Sequence, residues 1–164
     1  MIRGRGQMSI AIRPAVPGDE ALLANLNGFV HALHAAARPD HFKRTRANEL
    51  AEWFRTILNK PAARIWIAEE SGAAVGYVVA LFHDRSENAL CAARRWCEVD
   101  EIAVDPARRR KGIARALVLK VMDEARREGI SAIETVTWSF NEPAQLAFRQ
   151  LGFKAKTVRF EQKL

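Results

Sequence analysis

The 164-residue chain is 49% hydrophobic and 27% charged, with a formal net charge of +7. That length suits one domain, which would bury about 70% of its unfolded surface. No apolar run approaches the roughly 20 residues of a membrane span, and two cysteines, Cys91 and Cys97, make no disulfide framework, so a cytoplasmic location is expected.

The first seven residues are basic but lack the apolar core of a secretory signal. They are expected to be a mobile extension, with Met8 as an alternative start and the domain spanning 8–164. Residues 9–13 then read as a strand. Pro17, Gly18 and Asp19 lead into a helix over 20–36, with Leu22, Leu26, Phe29, Val30 and Leu33 as its apolar face. After a break at 38–42, a second helix is expected over 48–58, ending before Pro61. Residues 65–69 and 75–82 alternate as a hairpin about Ser71 and Gly72. Residues 84–94 form a polar loop.

The next strand ends at Val104. Cys97 and Val99 are apolar at odd positions, Ile102 and Val104 at even ones, and strict period-two pleating cannot set all four on one face. A bulge near 100–103 would switch the parity. Asp105 and Pro106 break the strand, and Arg108, Arg109, Arg110 and Lys111 follow. Gly112 opens a helix to about residue 128, with Ile113, Leu117, Val121 and Ala125 on one face. The first N–H groups of a helix lack intrahelical partners and favour anions, and glycine permits close approach. The amides of Arg110, Lys111, Gly112, Ile113, Ala114 and Arg115 therefore form a candidate phosphate cradle, with Arg109, Arg110 and Lys111 adding charge. The glycine patterns of the Walker and dinucleotide loops are absent.

Residues 131–140 read as a further strand, rich in Ile, Val, Thr, Trp and Phe. Asn141 then caps a helix that carries Pro143 in its first turn. Its apolar face is Ala144, Ala147, Phe148 and Leu151, and Gly152 ends it. A last strand is expected over 153–160.

Two of these segments resemble the signatures of the GNAT superfamily of N-acetyltransferases. Arg109 to Ala114 fits R/Q-x-x-G-x-G/A, the acetyl-CoA pyrophosphate loop. Asn141, Ala144, Gly152 and Phe153 fit the second signature, which departs from the family at Phe148, where tyrosine is usual. The resemblance implies an α+β single domain whose mostly antiparallel central sheet is splayed between its fourth and fifth strands and flanked by helices. It implies acetyl-CoA as acyl donor, with the strand end Ile102, Ala103 and Val104 taking the pantetheine arm and Asn141 and Phe148 completing the cofactor site.

Acetyl transfer also needs a neutral amine, and Glu98, Asp100 and Glu101 stand on the strand just before the cofactor stretch as candidate bases. Pleating favours Glu98 and Asp100 over Glu101 if the bulge lies beyond Asp100. Tyr77, the one tyrosine, reads as a core or sheet-edge aromatic, and Trp138 and Ser139 as lining of the acceptor side. The leading expectation is N-acetylation of a primary amine, on a small molecule or a peptide, by direct transfer in a ternary complex. The rival is a catalytically weak acetyl-CoA-binding module acting as a sensor or assembly part. No metal is expected, because His31, His34 and His41 lack a Cys or carboxylate to complete a ligand set. The basic residues are scattered and carry no nucleic-acid signature, so neither nucleic acid nor membrane is expected as partner. A homodimer is compatible with the sequence.

Overall fold

Alternating apolar residues and long amphipathic stretches sort themselves into three layers. The computed structural model describes residues 10–164. Among these, strands β1 (Ile10–Pro14), β2 (Ala63–Glu70), β3 (Ala73–Arg85), β4 (Arg94–Val104) and β5 (Ile133–Thr135) form one sheet in sequence order. β1 to β4 are antiparallel, and β5 runs parallel to β4. A parallel step needs a crossover, which α3 (Ile113–Arg127) supplies. The other helices are α1 (Glu20–Ala37), α2 (Ala47–Leu58) and α4 (Glu142–Gln150).

Ile65, Ile67, Tyr77, Val79 and Leu81 project from the sheet onto Leu23 and Leu26 of α1 and Leu50 and Phe54 of α2. Trp66, Ala68, Val78 and Ala80 project the other way, onto Leu117, Val118 and Val121 of α3. This is the α+β domain expected, with both faces of a central sheet covered.

The apolar face of α1 needs correction. The buried positions include Leu23, Leu26 and Asn27, while Phe29 and Leu33 are exposed. A polar residue inside the buried face shifted the apparent stripe.

The strand expected over 131–140 is only Ile133–Thr135. The Thr135 hydroxyl donates to the Val99 carbonyl at 3.0 Å, where the pairing with β4 stops. Trp138 and Phe140 then turn toward His34, His41 and Phe42, with ring centroids 4.8–5.5 Å apart across the two segments. Tertiary aromatic packing overrides strand propensity there. The strand expected over 153–160 is absent: after α4 the described chain forms none. A three-residue β5 offers few ladder groups. The tail is held instead by ion pairs from Lys156 to Glu134, Glu161 to Arg38 and Lys163 to Asp40. The expected extension over 1–7 lies outside the described residues.

Candidate active site

The expected bulge is present and falls on Asp100. Ala80 pairs with Val99 and Val79 with Glu101, so Asp100 has no partner on β3. Before it, Cys97 and Val99 point to the α3 layer; after it, Ile102 and Val104 do. Ala103 joins the α1–α2 layer. Parity switches at the extra residue.

The same stretch is where the sheet opens. β5 pairs with β4 only from Cys97 to Val99. Beyond that point β4 has no strand on its β5 side among the described residues. Along Ile102, Ala103 and Val104 the edge is thus open: Ile102 and Val104 turn their N–H and C=O groups to it, with Arg109 Nε 3.4 Å from the Val104 carbonyl, while the Ala103 carbonyl faces Gly76 on β3, and an extended ligand can pair there.

The chain leaves this edge through a loop that ends at α3. Asp105 accepts from the Ala107 N–H at 2.9 Å, stabilising one 3₁₀ turn over Pro106–Arg108. Arg110 has φ +63° and Gly112 φ +79°. A Cβ on Gly112 would meet nothing within 4 Å, so backbone conformation, not crowding, selects glycine there. No side chain caps α3. Its first N–H groups, at Ile113, Ala114 and Arg115, are therefore available to an anion. Buried Ile113 and Leu117 fix the helix end in the core.

The loop cations divide into two sets. Arg109, Arg110 and Arg115 are exposed. Arg108 and Lys111 instead reach Glu70 at the end of β2, at 2.7 and 3.3 Å. Glu70 is 5% exposed and was not identified from sequence. Lys111, expected to meet the cofactor, is thus engaged by a buried carboxylate.

Gly76 was also missed. A Cβ there would lie 2.8 Å from the Ala103 carbonyl oxygen and 3.3 Å from side-chain carbons of Ile113 and Val104. Glycine lets β3 approach both the free strand edge and the start of α3.

The three β4 carboxylates occupy one side of the sheet. Glu98 accepts from His83 Nε2 at 3.0 Å, and His83 stacks on Trp96 at 4.7 Å. Glu101 Oε2 accepts from Tyr77 at 2.9 Å and from Asn27 Nδ2 at 2.7 Å. The expectation that Glu98 and Asp100 face one way and Glu101 the other is corrected. With the bulge at Asp100 rather than beyond it, Glu101 joins Glu98 on the α1–α2 side. Desolvation, and then the neighbouring Glu98 charge, raises the Asp100 pKa. Burial raises that of Glu101, against the lowering effect of the Tyr77 bond. Tyr77 is a core residue, as expected, but its hydroxyl is committed to this cluster.

Asn141 Oδ1 accepts from Ala144 N–H at 3.3 Å, the expected cap. Phe148 is 8% exposed in the α3-side core, with Phe153 edge-on at 5.2 Å. The Trp138 and Ser139 carbonyls accept from Gln145 Nε2, while the Trp138 ring packs against His41 and Phe42. His31 and His34 bond the carbonyls of Lys43 and Val30. No helix among the described residues is long and apolar enough to cross a membrane.

This architecture is shared with solved proteins. A tetramutant of the BH1408 protein of Bacillus halodurans superposes with a TM-score of 0.89 at 22% identity, covering 94% of this chain and 99% of that one. An aminoglycoside N-acetyltransferase in complex with CoA superposes at 0.73 and 21% identity, covering 99% of both chains. Among curated proteins, human N-acetyltransferase 8 is 28% identical over 136 residues, 82% of this chain and 58% of its own length. An uncharacterised N-acetyltransferase of Methanocaldococcus jannaschii is 29% identical over 109 residues, 66% of this chain and 47% of its own. The chain thus spans about half the length of these curated relatives. The model of the acetyltransferase (GNAT) family matches residues 29–153, and the chain belongs to that family.

Proposed function

We propose that this chain is an acetyl-CoA-dependent N-acetyltransferase that moves the acetyl group to a primary amine by direct transfer in a ternary complex. The carrying observation is one juxtaposition. A free β4 edge, an uncapped helix N-terminus and a row of carboxylates meet where β5 leaves the sheet. That arrangement fits the donor: amides at 113–115 suit a pyrophosphate, the exposed Arg109, Arg110 and Arg115 add positive charge, and the strand edge suits an amide-bearing arm. Acetyl-CoA supplies an activated acyl group. The chain supplies placement, the Val104 N–H to polarise the acetyl carbonyl, and a proton acceptor.

The proton acceptor in this reading is Glu101. It lies three residues from the proposed carbonyl-binding amide of Val104, and burial raises its pKa, the direction that makes a carboxylate a stronger base. It takes the proton from the ammonium form of the acceptor, leaving a neutral amine to attack. Glu98 and Asp100 then attract the cationic acceptor. Phe148 has no proton to give, so solvent protonates the departing thiolate. Small amines are the first acceptors to try. An L-2,4-diaminobutyric acid acetyltransferase of Nocardia farcinica is 33% identical over 81 residues, 49% of this chain. The free thiols Cys91 and Cys97 suit a reducing compartment such as cytoplasm.

The test is coenzyme A release from acetyl-CoA with a panel of diamines, amino acids, aminoglycosides and lysine peptides. Turnover with any of them, lost in Glu101→Gln, supports the reading. Tight coenzyme A binding without release on any amine would favour a binding module instead, the reading that the missing hydroxyl at Phe148 supports.

A further inference from the structure

Asn27 sits in the middle of the buried face of α1 and is 4% exposed. Its Nδ2 donates to the Tyr77 hydroxyl and to Glu101 Oε2, each at 2.7 Å. The Tyr77 hydroxyl, brought by β3, donates to the same Oε2 at 2.9 Å. The chemistry of the groups fixes these directions. An amide nitrogen has two hydrogens and no acceptor, so Asn27 spends both. The hydroxyl accepts from Asn27, so its single proton goes to the carboxylate. Turning the amide round would set Oδ1 against that carboxylate. Instead Oδ1 is buried with no partner. Such an unsatisfied atom is uncommon in a folded core and costs about 1–3 kcal/mol. Packing alone would favour an apolar residue here, between Leu23 and Leu26 below and Val30 above. The neutral amide earns its place through the oxygen it holds.

Both bonds end on Oε2, which leaves Oε1 of Glu101 without a hydrogen-bond partner among the described residues. We propose that Asn27 and Tyr77 are positioning residues for Glu101, clamping Oε2 so that Oε1 is the oxygen presented to the amine's proton. This rests on the reading of Glu101 as the base.

The pair also sets how basic that oxygen is. Hydrogen bonds to the ionised form favour it, whereas burial disfavours it. The titratable or charged groups around Glu101 are Tyr77 on β3 and Asp100 on its own strand. Past Asp100 stand Glu98, His83 and Lys60. α1 contributes the uncharged Asn27. Loss of either donor therefore raises the Glu101 pKa, and the base protonates at a higher pH.

The experiment uses the full chain labelled with glutamate carrying 13C at the carboxyl carbon. Glu101→Gln assigns the Glu101 signal, which is then titrated in parent, Tyr77→Phe and Asn27→Ala. Tyr77→Phe keeps ring and shape, so it serves as the variant that folds. Upward movement of the midpoint by about half a unit or more in either variant is expected, because each removes one bond to the ionised form. In acetyl transfer, the acid limb of the kcat/KM profile should move up by the same amount, with coenzyme A affinity kept. If Glu101→Gln is impaired while both variants keep the parental midpoint and acid limb, the clamp is overturned and the base reading stands. If Glu101→Gln has parental kinetics, the base reading fails and takes the proposal with it.

Discussion

Lys111 reaches back from the cationic loop to Glu70, Nζ to Oε1 at 3.3 Å, and so ties the start of α3 to the end of β2. Arg108 completes the tie at 2.7 Å. The carboxylate is buried while both cations remain more than a third exposed, so the anion carries most of the desolvation. Glu70→Gln is expected to lower stability by about 1–3 kcal/mol, read from urea unfolding. Coenzyme A affinity should fall several-fold by calorimetry, because the loop must then be ordered on binding. Unchanged stability and affinity would mean that the loop holds its shape without the tie.

Gly112 separates conformation from space. Its φ of +79° and empty surroundings mean that a side chain fits but the backbone resists. Gly112→Asn, which tolerates the left-handed region, should cost less stability than Gly112→Ala, which should lose about 1 kcal/mol. Gly112→Asp should abolish the rise in melting temperature that coenzyme A gives the parent. An undiminished rise in that variant would remove the loop from the cofactor site.

Gly76→Ala tests the opposite case, where space and not φ is limiting. The new Cβ would press on the Ala103 carbonyl at 2.8 Å, a backbone atom that cannot swing away. A loss of about 1–3 kcal/mol is expected, together with weaker coenzyme A binding as the β4 edge shifts. A parental unfolding curve would show that β3 and β4 can part without cost.

The carboxylates should separate by kinetics and by pH. Glu101→Gln is expected to lower kcat about 10²–10⁴-fold with little change in coenzyme A affinity. Glu98→Gln and Asp100→Asn should instead raise the Michaelis constant for a cationic amine. Stability should move the other way at Glu101. A carboxyl whose folded pKa is raised binds more protons folded than unfolded, so the parent loses stability as pH rises from the ordinary value through the raised one. Glu101→Gln removes that loss. It should be more stable than the parent at neutral pH, with the advantage vanishing in acid. Equal stability across the range would mean that Glu101 is solvated as freely in the folded chain as in the unfolded one.

How far the chain could be read in advance depended on the reach of each interaction. The Asp105 turn, the left-handed Gly112 and the Asn141 cap rest on contacts a few residues apart, and those residues announced them. The bulge was legible because parity along one strand records it, although its exact position was not. Glu70, Gly76 and Asn27 were silent. Their reasons lie on partners 38 to 41, 27 and 74 residues away for Glu70 with Arg108 and Lys111, Gly76 with Ala103, and Asn27 with Glu101. The two strand errors had the same origin. Residues 136–140 and 153–160 carry strand-forming side chains, but aromatic and ionic partners elsewhere in the fold claimed them.

Asp100 has one more consequence, in the currency of chain length rather than side chains. It is the residue that β4 has and β3 does not match. No substitution at this position removes it; only a deletion can. Removing it would close the ladder into regular register and leave every face as it is, with Glu101 and Ala103 toward α1–α2 and Ile102 and Val104 toward α3, because Val99 and Glu101 already pair with adjacent residues of β3. Adding a second residue there would instead have to widen the bulge or turn every later side chain to the opposite face. In libraries of length variants the segment from 98 to 104 should therefore still fold with position 100 deleted, while insertions there are rejected.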